Sequence, residues 1–177
     1  FGPIVAKVRA DKPDAIYASG YFFTAGPLVS QLRSGGVTAP VIGQEGYDGE
    51  QFIKIAGASA EGVIITTSLD RDSNFPEARS FISEYEKFSG NKVDMVSAST
   101  HTAIKVVVAA LRKAGTNNPD AIRRAVNQTQ LTAATGQISF NKLGEVRKNV
   151  EVQIVRDGDW HYHSTIRDQT LLAPPEF

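Results

Sequence analysis

The chain has 177 residues, of which 41% are hydrophobic and 21% are charged, and its nineteen basic residues equal its nineteen acidic ones. This composition fits one ordinary globular domain or two small ones, and it offers no basic surface for nucleic acid or an anionic membrane. The absence of cysteine excludes a disulfide scaffold, a thiolate metal site and a cysteine nucleophile. No signal peptide is visible, and a start at Phe1 rather than Met indicates a processed or truncated end.

The first third of the chain alternates short apolar strands with amphipathic helices. Thr24 is the predicted N-cap of one helix, and the run 62–67 is apolar and β-branched, as in a strand covered on both faces. The predicted elements are a helix at 3–12, a strand at 14–19, a helix at 24–34, a strand at 40–44, a helix at 49–55 and a strand at 62–67. This rhythm predicts an α/β fold with a parallel sheet sandwiched by helices. Ligands of such sheets bind beyond the carboxyl ends of the strands, where Tyr21 and Glu45 fall.

The middle of the chain is mainly helical. Asn74 is predicted to cap a helix whose buried stripe is Phe81, Ile82, Tyr85 and Phe88. A second helix at 97–114 carries Ile104, Val107, Val108 and Leu111 on one side, and a third covers 118–127. Only one strand, at 135–140, is predicted among them. These apolar helix faces therefore form a small helical cluster, or they pack on a sheet that lies in sequence outside this chain.

The last part of the chain predicts a β-hairpin. Val150, Val152 and Ile154 alternate as a half-buried strand, the pair Asp157-Gly158 indicates a tight turn, and Trp160 lies on the return strand.

Six stretches, in order and over nearly the whole chain, resemble the type I periplasmic binding proteins of the leucine/isoleucine/valine-binding group. They are 12–21 (KPDAIYASGY), 31–37 (QLRSGGV), 60–67 (AEGVIITT), 81–85 (FISEY), 135–144 (TGQISFNKLG) and 152–160 (VQIVRDGDW). One departure is His101-Thr102, where the family often has Tyr-Asp.

The resemblance implies an incomplete two-lobe architecture. Residues 1–68 would form an α/β segment of the second lobe, residues 69–147 a mainly helical segment of the first lobe, and residues 148–177 the C-terminal hairpin of the second lobe. The sheet of the first lobe would precede Phe1, so this chain corresponds to roughly the second half of such a protein.

The resemblance also implies the ligand-binding residues. A free amino acid needs an anion for its ammonium group, donors for its carboxylate and a pocket for its side chain. Tyr21 matches the family's aromatic residue, Glu45 matches the acid that pairs with the ammonium group, and Met95 matches an apolar residue near the ligand. Gln44 and Tyr47 flank the acid and are further candidates, with Tyr47 orienting the loop. The groups that bind the carboxylate would come from the first lobe.

The function implied is the substrate-binding component of an ABC uptake transporter. It would capture an aliphatic, branched-chain amino acid in the periplasm, or as a lipid-anchored protein outside a single-membrane bacterium, and would dock on a membrane permease. Neither enzymatic activity nor a cofactor is expected. His161 and His163 share one side of a strand but lack a third ligand, so no metal site is expected.

Several alternatives remain open at this stage. The same fold could bind an aromatic acid, an amide or urea, or could be the ligand-sensing domain of a receptor. A flavodoxin-like or Rossmann-like enzyme is disfavoured, because no Gly-rich phosphate loop and no catalytic set are evident. By itself the chain is expected to self-associate, for example as a domain-swapped dimer.

Overall fold

The computed structural model describes residues 1–172. The helices are α1 Gly2–Asp11, α2 Phe22–Ser34, α3 Glu50–Ala56, α4 Pro76–Ser89, α5 Met95–Ala114, α6 Pro119–Asn127 and the short α7 Gln169–Leu172. The strands are β1 Ile16–Tyr17, β2 Val41–Gly43, β3 Ile64–Thr67, β4 Leu131–Ala133, β5 Gly136–Phe140, β6 Val146–Arg147, β7 Val150–Arg156 and β8 Asp159–Ile166. Two 3₁₀ turns, Glu45–Tyr47 and Gly57–Ala60, flank α3.

Five strands form a mixed sheet in the order β1-β2-β3-β7-β8. β1 and β2 are parallel, with Tyr17 opposite Ile42, and β2 and β3 are parallel, with Gly43 opposite Ile65. β7 adds antiparallel to β3. The predicted α/β fold with a parallel sheet is confirmed, and the loops after β1 and β2 leave the same edge of the sheet.

The described residues divide into two compact units, and the first comprises Phe1–Thr67 and Glu151–Ser164. Its core contains a column of three aromatic rings: Tyr47 and Phe52 stack with centroids 5.0 Å apart, and Phe52 and Trp160 stack at 5.7 Å. Aliphatic side chains from α2 and the sheet complete this core, among them Val29, Leu32, Val41, Val63, Ile65 and Val155. The hairpin predicted around Asp157-Gly158 supplies Trp160 to it.

The second unit comprises Ser68–Val150 together with the described residues 165–172. Its core is smaller: Leu69, Val93, Ala98 and Ala134 are buried, and partly buried side chains of α4 pack on them. Strands β4, β5 and β6 form a separate antiparallel sheet. The sequence predicted only the middle strand, because β4 and β6 are two or three residues long and depend on pairing with β5.

Helix starts differ from the sequence prediction by a few residues. Tyr21, not Thr24, is the N-cap of α2, and the Thr24 hydroxyl donates to the Tyr21 carbonyl at 3.0 Å. α5 begins at Met95 because Asp94 forms a capping box: Ser97 N donates to Asp94 Oδ1 at 2.7 Å, and Asp94 N donates to Ser97 Oγ. In α4 the N-cap is Phe75 rather than Asn74, and proline opens the first turn.

The two long helices of the second unit expose apolar side chains. In α4 the predicted burial of Phe88 is wrong: this side chain is 93% exposed, because no described residue covers the last turn of the helix there. In α5 the apolar stripe is also exposed, and the face that packs inward is a different one. The exposed stripe is Ile104, Val107, Val108 and Leu111, and the buried face is Ala98, Thr102, Val106 and Ala110.

The chain passes from one unit to the other at three places: between Thr67 and Ser68, between Val150 and Glu151, and between Ser164 and Thr165. The assignment of segments 1–68, 69–147 and 148–177 to two lobes stays a prediction, and residues 173–177 lie outside the described part of the chain. Within residues 1–172, no helix combines the length and the apolar character that a membrane span requires.

Candidate ligand-binding site

Two loops of the first unit meet at the carboxyl ends of β1 and β2. One carries Tyr21, and the other, which we call the 44–49 loop, carries Glu45. Gly46 allows them to touch: a Cβ atom there would lie 2.4 Å from the Gly20 carbonyl oxygen and 3.1 Å from Tyr21 Cδ1. Any larger residue at position 46 would therefore push the two loops apart.

Gln44 links the same two loops through both ends of its amide. Its Nε2 donates to the Gly20 carbonyl at 2.6 Å, and its Oε1 accepts from Gly46 N at 3.0 Å. Gln44 therefore holds the two loops together, and its proposed contact with a ligand stays a prediction.

Tyr47 anchors the 44–49 loop from below. Its side chain is fully buried, and its hydroxyl donates to the Ala18 carbonyl at 2.5 Å. Its ring fills the space above Gly43, where a Cβ would lie 2.5 Å from the ring. Burial, and to a smaller extent the neighbouring Tyr17, raises the pKa of Tyr47 to about 12, because both disfavour the ionised form.

Two further hydrogen bonds hold the end of this loop. Thr67, at the end of β3, donates to Asp48 Oδ2 at 2.8 Å. Trp160 Nε1, on β8, donates to the Gly49 carbonyl at 3.2 Å. The 44–49 loop is therefore tied to the loop after β1, to β3 and to β8.

Glu45 stands out from this arrangement because its carboxylate is free. The residue is exposed, and its side chain has no hydrogen bond or ion pair with any residue between 1 and 172. A fixed backbone thus presents one negative charge beside Tyr21. An ionised carboxylate only accepts hydrogen bonds, and an ammonium group only donates them. The Glu45 carboxylate can therefore pair with the ammonium group of a ligand.

The backbone of Tyr21 is fixed by hydrogen bonds, whereas its side chain is exposed. Its carbonyl accepts from Thr24 N, Ala25 N and the Thr24 hydroxyl. Its ring is 62% exposed and stacks on Phe23, with centroids 5.8 Å apart and planes within 5°. Sequence reasoning missed Phe23, although the doublet Phe22-Phe23 directly after Tyr21 was the available signal.

Met95 belongs to the second unit, whereas Tyr21, Gln44, Glu45 and Tyr47 come together in the first. Met95 is the first residue of α5, and its sulfur accepts from Ser99 Oγ at 3.3 Å. Its proposed contact with a ligand stays a prediction.

His101, the departure from the family pattern, stacks on Phe81 at 4.3 Å in the second unit. Its Nδ1 is buried and has no hydrogen-bond partner among residues 1–172. Burial lowers the pKa of His101, Lys105 lowers it further, and Glu84 opposes this shift. In the described part of the chain, no group of three His, Cys, Asp or Glu side chains has the arrangement of a metal site.

Comparison with known proteins places this chain in a family. The family described as "Periplasmic binding protein" matches residues 1–159. The leucine-, isoleucine-, valine-, threonine- and alanine-binding protein of Pseudomonas aeruginosa is 22% identical over 93% of this chain and 43% of its own length. The Leu/Ile/Val-binding protein of Escherichia coli K12 is 25% identical over 95% of this chain and 44% of its own.

Solved structures agree with this assignment. The leucine-binding protein LivK of Thermotoga maritima superposes with a TM-score of 0.90 at 26% identity, over 96% of this chain and 49% of that one. This chain thus spans less than half the length of the relatives named here. All three relatives are binding proteins by name. The match over 159 of the 177 residues shows that this chain belongs to the periplasmic binding protein family.

Proposed function

We propose that this chain forms one side of the ligand site of an ABC-transporter substrate-binding protein that captures an aliphatic, branched-chain amino acid. Glu45 would pair with the ammonium group of the ligand, and Tyr21 would pack beside it. The single observation that carries this proposal is the free, exposed Glu45 carboxylate on a loop whose other polar groups are held by the protein.

The bracing of the 44–49 loop matters because it lowers the cost of binding. A flexible loop loses conformational freedom when a ligand orders it, and that loss is subtracted from the affinity. Here Gln44, Tyr47 and Trp160 already fix the backbone. The carboxylate therefore needs little further ordering to meet a cation.

The site must also exclude water if the charge pair is to contribute strongly to the affinity. A charge pair at an exposed surface contributes little free energy, while the same pair in a closed site contributes more because the effective dielectric constant falls. We expect this cover, and the donors for the ligand carboxylate, to come from the first lobe, outside these residues. The hinge would include 68–70 and 147–150, where Lys148 donates to the Ser68 hydroxyl.

This proposal is tested by calorimetry on the full-length gene product that contains this chain. The unsubstituted protein is expected to bind Leu, Ile or Val. Glu45→Gln keeps the size and removes the charge, and it is expected to weaken binding about ten- to a hundredfold, because a hydrogen bond to a charged group contributes about 1.5–3 kcal/mol.

The matched control is Asp14→Asn, which removes one exposed negative charge of the first unit at the opposite end of β1. It should leave the affinity unchanged. Equal effects of the two substitutions would show that Glu45 acts only through the overall charge of the protein. An unchanged affinity for Glu45→Gln would rule out a role of Glu45 in binding.

A second candidate ligand is an aromatic acid. The exposed, stacked rings of Tyr21 and Phe23 favour it, because flat ligands pack well on aromatic faces. A solute-binding protein of Rhodopseudomonas palustris, whose crystal structure contains benzoate, has the same fold at a TM-score of 0.84 and 16% identity. A thermal-shift screen of amino acids against aromatic carboxylates separates the two, since only the amino acids should depend on Glu45.

The cellular setting follows from the proposed role. A protein that delivers an amino acid to a membrane permease acts outside the cytoplasmic membrane, so we expect the periplasm, or the cell surface of a single-membrane bacterium. A receptor domain of the same fold would use the same site. Uptake assays in a strain lacking the gene distinguish these roles, because only a transporter component changes uptake.

A further inference from the structure

Three aromatic side chains at the start of α2 form a connected series of rings. Phe22 is half-buried against the core of the first unit. The Phe23 ring meets Phe22 edge-on, with centroids 5.4 Å apart and planes at 87°. The Tyr21 ring then stacks on Phe23 at 5.8 Å with nearly parallel planes. The orientation of Tyr21 is thereby connected to the core through Phe23.

This contact depends on where the helix begins. Residues two apart in a helix point to different sides and do not touch. Tyr21, however, is the N-cap, with extended angles of φ −113° and ψ 161°, while Phe23 is already helical. The change of backbone conformation between them allows the two rings to stack, and the hydrogen bonds to the Tyr21 carbonyl fix that change.

The stacking leaves most of Tyr21 exposed. Phe23 stacks on the ring with nearly parallel planes, yet Tyr21 remains 62% exposed and Phe23 58% exposed. The tyrosine hydroxyl has no partner among residues 1–172, so it does not hold the ring. Phe23 is therefore the side chain that stacks on the ring, while the backbone of Gly46 approaches it at Cδ1.

We propose that Phe23 is a positioning residue for the ligand site: it holds the Tyr21 ring so that a ligand packs on the opposite face. This inference rests on the proposed function, because it requires a ligand beside Tyr21 and Glu45. A ring oriented before binding loses less side-chain freedom when the ligand arrives. Phe23 thus contributes to affinity without touching the ligand.

The binding test uses the full-length gene product and the amino acid that it binds most tightly. Phe23→Leu keeps an apolar side chain but removes the stacking, and we expect about three- to tenfold weaker binding, the range that an aromatic pair contributes. Phe23→Tyr retains the stacking and should restore the affinity. Phe88→Leu, at a phenylalanine that is 93% exposed in the second unit, should have no effect.

A double-mutant cycle separates positioning from a general structural role. With Tyr21→Leu already in place, Phe23→Leu should cost nothing more, because the ring that it positions is gone. An equal loss in both backgrounds would overturn the proposal, since Phe23 would then act independently of Tyr21. Failure of Phe23→Tyr to restore binding would overturn it as well.

A readout without ligand tests the stacking itself. The chain has five tyrosines, so protein labelled with 3-fluorotyrosine should resolve the Tyr21 signal, which Tyr21→Phe identifies by its loss. Phe23→Leu is expected to shift that signal, and an unchanged signal would overturn the inference.

The two proposals fail in different ways. If the unsubstituted protein binds no amino acid, the proposed function fails, and this inference fails with it. If it binds and the affinity depends on Glu45 but not on Phe23, only the inference fails.

Discussion

The 44–49 loop of the first unit and helix α5 of the second expose different kinds of side chain. In the loop, neighbouring strands and loops supply partners for nearly every polar group, and one carboxylate is left free. In α5, an inward face of small residues is buried, and a stripe of larger apolar residues is left uncovered. The exposed carboxylate of the loop stands on a backbone that side-chain hydrogen bonds hold, whereas the exposed stripe of α5 has no cover among the described residues.

The cause of this difference is the distribution of large side chains. The first unit buries Tyr47, Phe52 and Trp160 in one column beneath the loop. The second unit buries mainly alanine and valine, with Leu69 as its one fully buried large side chain in the described part. A loop above a rigid aromatic core is held in place, whereas a helix above a thin core depends on further cover.

The aromatic column provides the largest expected effect. Phe52 is fully buried between two rings, so Phe52→Ala should lower the free energy of unfolding by about 3–5 kcal/mol. Phe88→Ala, which removes the same atoms from a 93% exposed site, should change it by less than about 0.5 kcal/mol. Urea unfolding followed by circular dichroism measures both, and similar values would contradict the contrast between the units.

A smaller effect is expected from the hydroxyl of Tyr47. Tyr47→Phe removes the donor to the Ala18 carbonyl and should destabilise the protein by about 1–2 kcal/mol at neutral pH. Tyr21→Phe is the control, because its hydroxyl is exposed and has no partner among the described residues.

The same hydroxyl predicts a dependence on pH. Folding raises the pKa of Tyr47 from 10.0 to about 12, chiefly by burial and secondarily through Tyr17. A group whose pKa is raised on folding contributes its stability below the unfolded pKa and loses it as the pH rises through the folded one. The difference in the free energy of unfolding between the unsubstituted protein and Tyr47→Phe should therefore decrease between about pH 10 and pH 12. A constant difference across that interval in thermal unfolding would contradict this cause.

The sequence was sufficient to predict the sheet and the ends of its strands. Short apolar runs at β1, β2 and β3, alternating with helices, indicated parallel strands, and the carboxyl ends of β1 and β2 pointed to Tyr21 and Glu45. The bracing could not be predicted in this way. Gln44 bonds 24 residues away along the chain, and Trp160 bonds 111 residues away, so no local pattern records either contact.

Helix α5 shows the opposite limit of sequence reasoning. Its most apolar stripe predicted packing in a small helical cluster or on a sheet outside this chain. Hydrophobic periodicity identifies a helix face that favours burial, but it does not identify the surface that covers that face. Ala98, Thr102 and Ala110 face inward because their small side chains allow the helix to pack closely. A search for the most hydrophobic face favours larger side chains and therefore does not identify this face.

The smallest expected effect on stability comes from this stripe, and neighbouring valines provide a matched pair. Val106 is 7% exposed and Val107 is 49% exposed on the same helix. Serine and valine have similar helix propensities, so the difference between Val106→Ser and Val107→Ser reports burial. We expect a loss of about 2 kcal/mol or more for Val106→Ser and less than about 0.5 kcal/mol for Val107→Ser.

Self-association should show the reverse order. An exposed apolar stripe favours contact with another apolar surface, so the isolated chain is expected to associate as its concentration rises, and Val107→Ser should weaken that association. Sedimentation velocity over a range of concentrations measures it. A monomer at all concentrations would contradict the expected self-association, and equal weakening by both substitutions would show that loss of folding, rather than loss of the stripe, is the cause.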